Sequence, residues 1–223
     1  KVALKAMREQ KTMNELAQKS YVDKTMILAE IIRILHYDGK ELTTETRQRW
    51  EQLKEKLTGS DFASLMKRYV GMDILEDKFD EEGNQIDQTQ SKIEELAQQA
   101  IKNKDILQKE LHWLVTTIAK NGYRFGYALA KNDKNVSLLP TILEVQRNAV
   151  KNVDVCFLGG YLRLLFEQDR ERWENQLDAL MEDKNLNTWI PELTWRAGMT
   201  DRAALRILSL AERGIIGISH FWI

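Results

Sequence analysis

The stretch FLGGYLRLLFEQDRERW, residues 157–173, decides the fold of this chain. It places two adjacent glycines, Gly159 and Gly160, inside a segment that otherwise has the apolar spacing of an α-helix. Each glycine inside a helix costs about 1 kcal/mol relative to alanine. The pair therefore indicates either a helix boundary or close packing against a neighbouring helix.

A related segment upstream favours close packing. NGYRFGYALAKND (121–133) and FLGGYLRLLFEQD (157–169) share a Gly-Tyr pair, apolar positions, a charged residue and a terminal aspartate. Gly126 and Gly160 stand 34 residues apart, and each segment precedes a second helical pattern. The spacing predicts two helix pairs of the same design.

A third unit follows at residues 189–214. Trp195 stands 34 residues after Tyr161, and Asp201 is followed by arginine just as Asp169 is. An aspartate at a helix start can cap free backbone N–H groups and oppose the positive end of the helix dipole. Asp169 and Asp201 are therefore predicted to begin equivalent helices.

Repeats of this length, each built of two helices, are typical of α-solenoids. Residues 91–213 resemble HEAT-like helical repeats. The predicted fold is all-α, with antiparallel helix pairs stacked as a degenerate HEAT-like α-solenoid. In this arrangement Gly126 and Gly160 let helices approach closely, and Tyr127 and Tyr161 fill the adjacent space. A nonrepetitive helical bundle is the alternative.

Composition is that of an ordinary globular protein, with 43% hydrophobic and 30% charged residues among 223. The single cysteine, Cys156, excludes an internal disulfide. No secretory signal and no apolar run of about 18 residues occurs, which predicts a cytoplasmic protein without membrane contact. The chain starts without methionine and ends in apolar residues, so we expect it to be a segment of a larger polypeptide.

Charge divides the sequence into three parts. Residues 1–70 carry a net charge of +4, residues 73–95 carry −7, and residues 96–223 carry +2. The predicted domains are an N-terminal helical subdomain over 1–72, an acidic linker over 73–95 and a helical-repeat region over 96–223.

The acidic segment does not match a calcium loop. With Gly83 at the sixth position of an EF-hand loop, Lys78 would take the first position and Thr89 the twelfth, and neither supplies the required carboxylate. No metal and no cofactor is predicted.

Before the acidic segment, local signals mark helix ends. Gly59 is predicted to stop one helix, and Ser60 or Asp61 is predicted to cap the next. The basic pair Lys67 and Arg68 is expected on a solvated face of that second helix.

The N-terminal residues carry a different resemblance. KVALKAMREQKTMNELAQKSYVDKTMI (1–27) resembles the helix-turn-helix of insertion-sequence transposases, with Thr12 and Glu15 as a capping box. The resemblance implies an alternative function, a DNA-binding regulator in which Lys24 and Arg33 contact phosphates. The helix that should read bases is dominated by apolar residues, which makes nucleic acid the less favoured partner.

No catalytic motif is present. His36, His112 and His220 lie far apart in the sequence and form no metal-binding spacing. Cys156 has apolar neighbours, which raise a thiol pKa. The prediction is a protein that is not an enzyme, and an unrecognised Cys/His or carboxylate site is a second alternative.

We therefore predict a non-catalytic scaffold that presents a surface to a protein partner or to another domain of its own chain. The repeat resemblance implies a parent such as a large bacterial NTPase or nuclease, including antiviral defence proteins. Contact residues are predicted among aromatic and arginine side chains near the repeat turns, the types favoured at interface centres: Tyr123, Arg124, Arg163, Arg170, Trp195 and Arg196.

Overall fold

The structure, a computed structural model, describes residues 21–72, 77–79 and 85–221. The protein is all-α in class, which confirms the prediction at that level. Both prolines, Pro140 and Pro191, lie in the first turn of a helix. A proline there removes no intrahelical hydrogen bond, so neither interrupts a helix.

The described residues divide into two compact units. The first consists of residues 21–68, 77–79 and 85–89, and the second of residues 69–72 and 90–221. Among the described helices, none has both the length and the apolar composition needed to cross a bilayer. The elements up to residue 87 are α1 (Tyr21–Tyr37), α2 (Thr44–Thr58), α3 (Phe62–Tyr69), β1 (Asp77–Phe79) and β2 (Gln85–Asp87).

The first unit has its core between α1 and α2. Ile31 and Ile34 of α1 pack with Trp50 and Leu53 of α2, and all four side chains are buried. The hydroxyl of Thr43 accepts a hydrogen bond from the first turn of α2 and so fixes where that helix begins.

The helix boundaries around Gly59 agree with the sequence. Gly59 ends α2 with φ of 75°, a conformation that glycine adopts without strain. Asp61 Oδ1 accepts a hydrogen bond from the Ser64 N–H at the start of α3. The prediction that Arg68 lies on a solvated face is wrong, because its side chain is buried. Lys67, the other member of the basic pair, is partly exposed.

The acidic segment contains regular structure. Strands β1 and β2 pair antiparallel, with Lys78 opposite Ile86, and a helix begins at Gln88 directly after β2. The described part of the predicted linker 73–95 is thus a pair of short antiparallel strands and the start of a helix. Acidic composition indicates solvation but does not prevent backbone pairing.

The second unit contains eight α-helices in its described residues, and two short 3-10 helices, Asn187–Trp189 and Ile218–Phe221. Residues 69–72 are hydrogen-bonded to the rest of this unit through Asn121. The side-chain amide of Asn121 donates hydrogen bonds to the carbonyl oxygens of Tyr69 and Met72, at 3.0 and 2.8 Å. The helices are α4 (Gln88–Lys102), α5 (Lys104–Leu114), α6 (Gly122–Asn132), α7 (Leu139–Asn148), α8 (Cys156–Gln168), α9 (Arg170–Met181), α10 (Ile190–Ala197) and α11 (Asp201–Glu212).

Helices α6 and α8 pack backbone against backbone at the two glycines. A Cβ atom on Gly126 would lie 2.1 Å from the carbonyl oxygen of Phe157, and one on Gly160 would lie 2.0 Å from that of Tyr123. Neither distance is physically possible, so both positions require glycine. The predicted reason for the glycines, close helix approach, is confirmed.

Tyr161 fills the space beside the glycine contact, as predicted. Its side chain is buried, and its hydroxyl donates a 2.7 Å hydrogen bond to Asp133 Oδ2 at the end of α6. Asp133 also accepts hydrogen bonds from the Ser137 hydroxyl and the Leu138 N–H. This buried aspartate joins three parts of the second unit.

Helices α9 and α11 are joined by a row of ion pairs. The pair between Arg206 and Glu174 is buried, with a 2.7 Å separation, whereas the others are more exposed. Three arginines in α11 or directly after it bind carboxylates in α9 or directly after it: Arg202 binds Glu171 and Asp178, Arg206 binds Glu174 and Asp178, and Arg213 binds Glu182.

The two predicted aspartate helix starts differ by one position. Asp169 precedes α9 and accepts a hydrogen bond from the Arg172 N–H, as an N-cap should. At α11 the capping residue is Thr200, whose hydroxyl accepts from the Ala203 N–H, and Asp201 is the first helical residue.

Candidate functional site

Helices α6, α8 and α10 present polar side chains that are linked to one another. We call this surface the tyrosine–arginine face. It comprises Tyr123 and Tyr127 of α6, Arg163 and Glu167 of α8, and Trp195 and Arg196 of α10.

Tyr123 connects α6 to α10. Its hydroxyl donates a 3.0 Å hydrogen bond to the carbonyl oxygen of Arg196. Burial raises the pKa of the Tyr123 hydroxyl, which therefore stays protonated and able to donate at neutral pH. This hydrogen bond fixes the backbone of α10 at the residue directly after Trp195.

Arg163 lies at the centre of the face. Its guanidinium donates to Glu167 Oε1 at 2.6 Å and to the carbonyl oxygen of Ala197 at 2.7 Å. Ala197 ends α10, so the positive charge also stabilises the negative end of that helix dipole. Glu167 accepts a second hydrogen bond, 2.8 Å long, from the Tyr127 hydroxyl, and this bond raises the pKa of Tyr127.

Arg196 is held on the same helix by Glu192, with both side chains 19% exposed and a shortest separation of 2.6 Å. Its guanidinium carbon lies 5.7 Å from the centre of the Trp195 ring. The stem of Arg196 fills the space over Gly159, where a Cβ atom would lie 2.8 Å from the arginine Cδ. The arginine is therefore pre-positioned, with little rotamer freedom left to lose on binding.

Trp195 and Met199 are the exposed apolar members of this region. Trp195, in the last turn of α10, is 64% exposed, and Met199, two residues beyond the end of that helix, is 60% exposed. Although Trp195 follows Tyr161 by one sequence repeat, Tyr161 is buried and Trp195 faces solvent. Tryptophan, methionine and arginine are enriched in protein interfaces.

The single cysteine lies beside the face but is not activated. The Cys156 N–H donates a 2.5 Å hydrogen bond to Asp154 Oδ1. Burial and the neighbouring Asp154 raise the pKa of the thiol to about 12. The thiol is therefore protonated at neutral pH and is a poor nucleophile.

Asp154, Cys156 and Glu192 bring their potential ligand atoms within 4.8 Å of one another. Among the described residues this is the one group of three side chains that could hold a metal ion. A metal would need the thiolate, whereas the Cys156 pKa is raised, and Glu192 already binds Arg196. The arrangement favours a neutral thiol next to an ion pair.

Four of the six predicted contact residues lie on the tyrosine–arginine face, and two lie elsewhere. Arg124 turns toward α4, where its Nε donates a 2.9 Å hydrogen bond to Gln90. Arg170 lies over the Phe166 ring, with its guanidinium carbon 4.6 Å from the ring centre.

Sequence reasoning missed three residues of this region, and it assigned Tyr127 to packing between repeats rather than to the face. Tyr127, Glu167 and Glu192 each stand four residues from a partner on the same helix, which places both side chains on one helix face. The missed residues are Glu167, Glu192 and Met199, and Met199 lies beyond the end of α10.

A separate cleft of about 400 Å³ lies near the ends of α5 and α7. It contains His112, whose Nδ1 is 2.9 Å from the carbonyl oxygen of Lys109, and Glu144, which pairs with Arg147. Both polar groups therefore already have local partners within their own helices.

The helix-turn-helix resemblance covers residues 1–27, and most of that segment lies outside the described residues, which begin at residue 21. The side chain of His220 also lies outside them. No family model, curated protein or solved structure matches this chain.

Proposed function

We propose that this chain is a HEAT-like α-helical-repeat scaffold that presents the tyrosine–arginine face, with Met199, to a protein partner or to another domain of its own polypeptide. The observation that carries the proposal is the exposure of Trp195 and Met199 beside anchored arginines. An exposed tryptophan next to a pre-positioned arginine is the combination found in interaction hot spots.

The separations of contacting residues along the sequence support a repeat architecture. In an α-solenoid each repeat contacts its neighbours, so side-chain contacts recur at about one repeat length. The second unit has several such hydrogen bonds, with separations of 34 to 37 residues: Arg124 to Gln90, Arg163 to Ala197, Arg147 to Asp183, and Arg172 to Asn135.

The charges of the face favour protein over nucleic acid as the partner. Arg163 is paired with Glu167, and Arg196 is paired with Glu192. A surface whose arginines are neutralised gains little from release of counterions by phosphates. Burial of the exposed apolar surface of Trp195 and Met199 would instead supply the free energy of binding, and this favours a protein partner.

We propose that the parent protein is cytoplasmic. Its class is the one that the repeat resemblance implies. Helical repeats of this kind accompany nucleotide-hydrolysing or nuclease modules in large bacterial proteins, including antiviral defence proteins. In such a parent the repeats would sense or relay binding, by flexing between repeats, while the chemistry belongs to another module.

Quantitative affinity capture from the native cells tests the proposal. The bait is the 223-residue chain, compared with Trp195→Ala and with Val150→Ala as a matched control, since Val150 is 87% exposed and lies off the face. We expect at least one protein to be captured by the wild type and by Val150→Ala, and to be lost with Trp195→Ala.

Measuring duplex DNA binding across a range of salt concentrations distinguishes the proposed scaffold from the main alternative, a DNA-binding regulator. Salt-sensitive retention of DNA that Lys24→Ala and Arg33→Ala abolish, with no protein captured through Trp195, would replace the scaffold with a DNA-binding regulator. Retention that is absent, or unchanged in these variants, removes that rival.

A further inference from the structure

Arg170, the first residue of α9, is exposed and binds no carboxylate within the described part of the chain. Every arginine of α8, α10 and α11, in contrast, has a carboxylate partner. The pairs are Arg163 with Glu167, Arg196 with Glu192, Arg202 with Glu171 and Asp178, and Arg206 with Glu174 and Asp178. The positive charge of Arg170 is therefore available to a ligand.

An aromatic ring holds the Arg170 side chain in place. Its guanidinium carbon lies 4.6 Å from the centre of the Phe166 ring, within the range of a cation–π contact. Trp173 is buried and packs edge-on against the same ring, with the two ring centres 5.0 Å apart. A contact with the ring leaves the N–H groups of the guanidinium able to donate hydrogen bonds outward.

The Phe166 ring also connects Arg170 to the exposed apolar surface. A Cβ atom on Gly198 would overlap the Phe166 ring, so the ring packs directly on the backbone that follows α10. The next residue is Met199, which is 60% exposed. The unpaired guanidinium and this exposed apolar side chain therefore both lie next to the contact between Phe166 and Gly198.

We infer that the partner of the tyrosine–arginine face is an acidic protein segment, which places an aspartate or glutamate carboxylate on Arg170 and apolar side chains on Trp195 and Met199. The planar guanidinium can bind a carboxylate through two parallel hydrogen bonds. Apolar groups that exclude water around such a pair strengthen it. This inference rests on the proposed function, because it concerns the partner of the same surface.

The charges around Arg170 favour a protein carboxylate over nucleic acid. A nucleic-acid backbone carries a phosphate at every nucleotide and is bound by several unpaired cations. Arg163 and Arg196 are already paired. Arg172, the other arginine of α9, donates to the carbonyl oxygen of Asn135 at 3.2 Å and stands on nearly the opposite side of the helix from Arg170. A single available guanidinium suits a single carboxylate.

A peptide library tests the inference with a defined probe. Random peptides of about 12 residues, displayed on phage, are selected on the 223-residue chain, and those that fail to bind Trp195→Ala are synthesised. We expect these peptides to share an acidic residue close to apolar residues. Fluorescence anisotropy then gives the Kd of each peptide for the wild type and for the variants.

A double-mutant cycle identifies the carboxylate that Arg170 binds. Arg170→Ala should raise Kd about tenfold, because it removes a charge-assisted pair of hydrogen bonds. Replacing the acidic residue of the peptide by its amide should have a similar effect on the wild type and little further effect on Arg170→Ala. Arg172→Ala is the matched control, an exposed arginine of the same helix, and should bind like the wild type. Circular dichroism checks that every variant is folded.

The outcomes separate this inference from the proposed function. Peptides that require Trp195 but bind Arg170→Ala as tightly as the wild type would overturn the inference and leave the proposed face intact. A selection without any peptide that requires Trp195 would contradict both. A DNA duplex of about 12 base pairs that displaces the peptide from the wild type but not from Arg170→Ala would assign Arg170 to phosphate and overturn the inference.

Discussion

The hydroxyl of Tyr123 donates a hydrogen bond to the backbone carbonyl of Arg196, 73 residues further along the chain. Helix α8 packs against both helices that carry these residues, so the bond closes a three-helix arrangement. It holds the end of α10, where Trp195 and Met199 are exposed. The proposed binding surface thus depends on a contact between distant helices.

Removing this hydroxyl should weaken the arrangement by a measurable amount. Tyr123→Phe keeps the ring but leaves the Arg196 carbonyl without this donor, and we expect a loss of about 1 kcal/mol of unfolding free energy in urea titrations. Tyr37→Phe is the control, since Tyr37 is 73% exposed in the first unit. Equal stability of Tyr123→Phe and wild type would show that the bond contributes nothing.

Alanine at Gly126 should be strongly destabilising although alanine favours helices. The gain in helix propensity is about 1 kcal/mol, but the new Cβ would lie 2.1 Å from the Phe157 carbonyl oxygen. We expect a net loss of at least about 2 kcal/mol by chemical denaturation. Gly217→Ala has no atom within 4 Å of the added Cβ and should change stability little. A neutral Gly126→Ala would mean that the helices separate easily.

Acid should destabilise the protein partly through Asp133. Burial acts to raise the pKa of Asp133, but hydrogen bonds from Tyr161, Leu138 and Ser137 outweigh it, so the pKa lies below its ordinary value. The stabilisation is therefore fully present above about pH 4, the ordinary aspartate pKa, and is lost as pH falls through the lower folded pKa.

The corresponding variant is Asp133→Asn. It should be less stable than the wild type at pH 7, and its stability should fall less between pH 5 and pH 2. Urea midpoints measured across this pH range provide the check. The exposed Asp105→Asn serves as control and should follow the wild type. Parallel pH profiles for Asp133→Asn and wild type would exclude this role.

The folded Cys156 thiol should react slowly with iodoacetamide. Because its pKa is raised to about 12, alkylation at pH 8 should be at least about a hundredfold slower than in the urea-unfolded chain. Asp154→Asn should accelerate the reaction in the folded protein, since it removes a carboxylate that raises the thiol pKa. A rate that stops rising below pH 9 would reveal an activated thiolate instead.

Much of the fold could be predicted from local patterns. Gly126 and Gly160 indicated close helix packing because glycine inside a helix is costly without a packing reason. Gly59 and Asp61 marked helix ends because their conformation and hydrogen bonding act within one turn. Such features depend on neighbours in the sequence, so the sequence alone is sufficient to find them.

The site was less predictable because burial depends on distant contacts. Arg68 was expected to be exposed, yet tertiary packing buries its side chain. Trp195 follows the buried Tyr161 by one repeat, yet it faces solvent. At the position 34 residues after Gly160 stands Thr194, so α10 lacks the glycine that allows close approach. The 34-residue spacing therefore identified equivalent positions, but it did not determine whether the residue at each position is buried or exposed.

Photo-crosslinking at position 195 in the native cells tests the central claim most directly. A photoreactive phenylalanine analogue replaces Trp195 in one variant and Val150 in the control, both exposed positions. The scaffold account predicts a defined protein adduct at position 195 that is absent at position 150. No adduct at position 195, or the same adducts at both positions, would contradict the account.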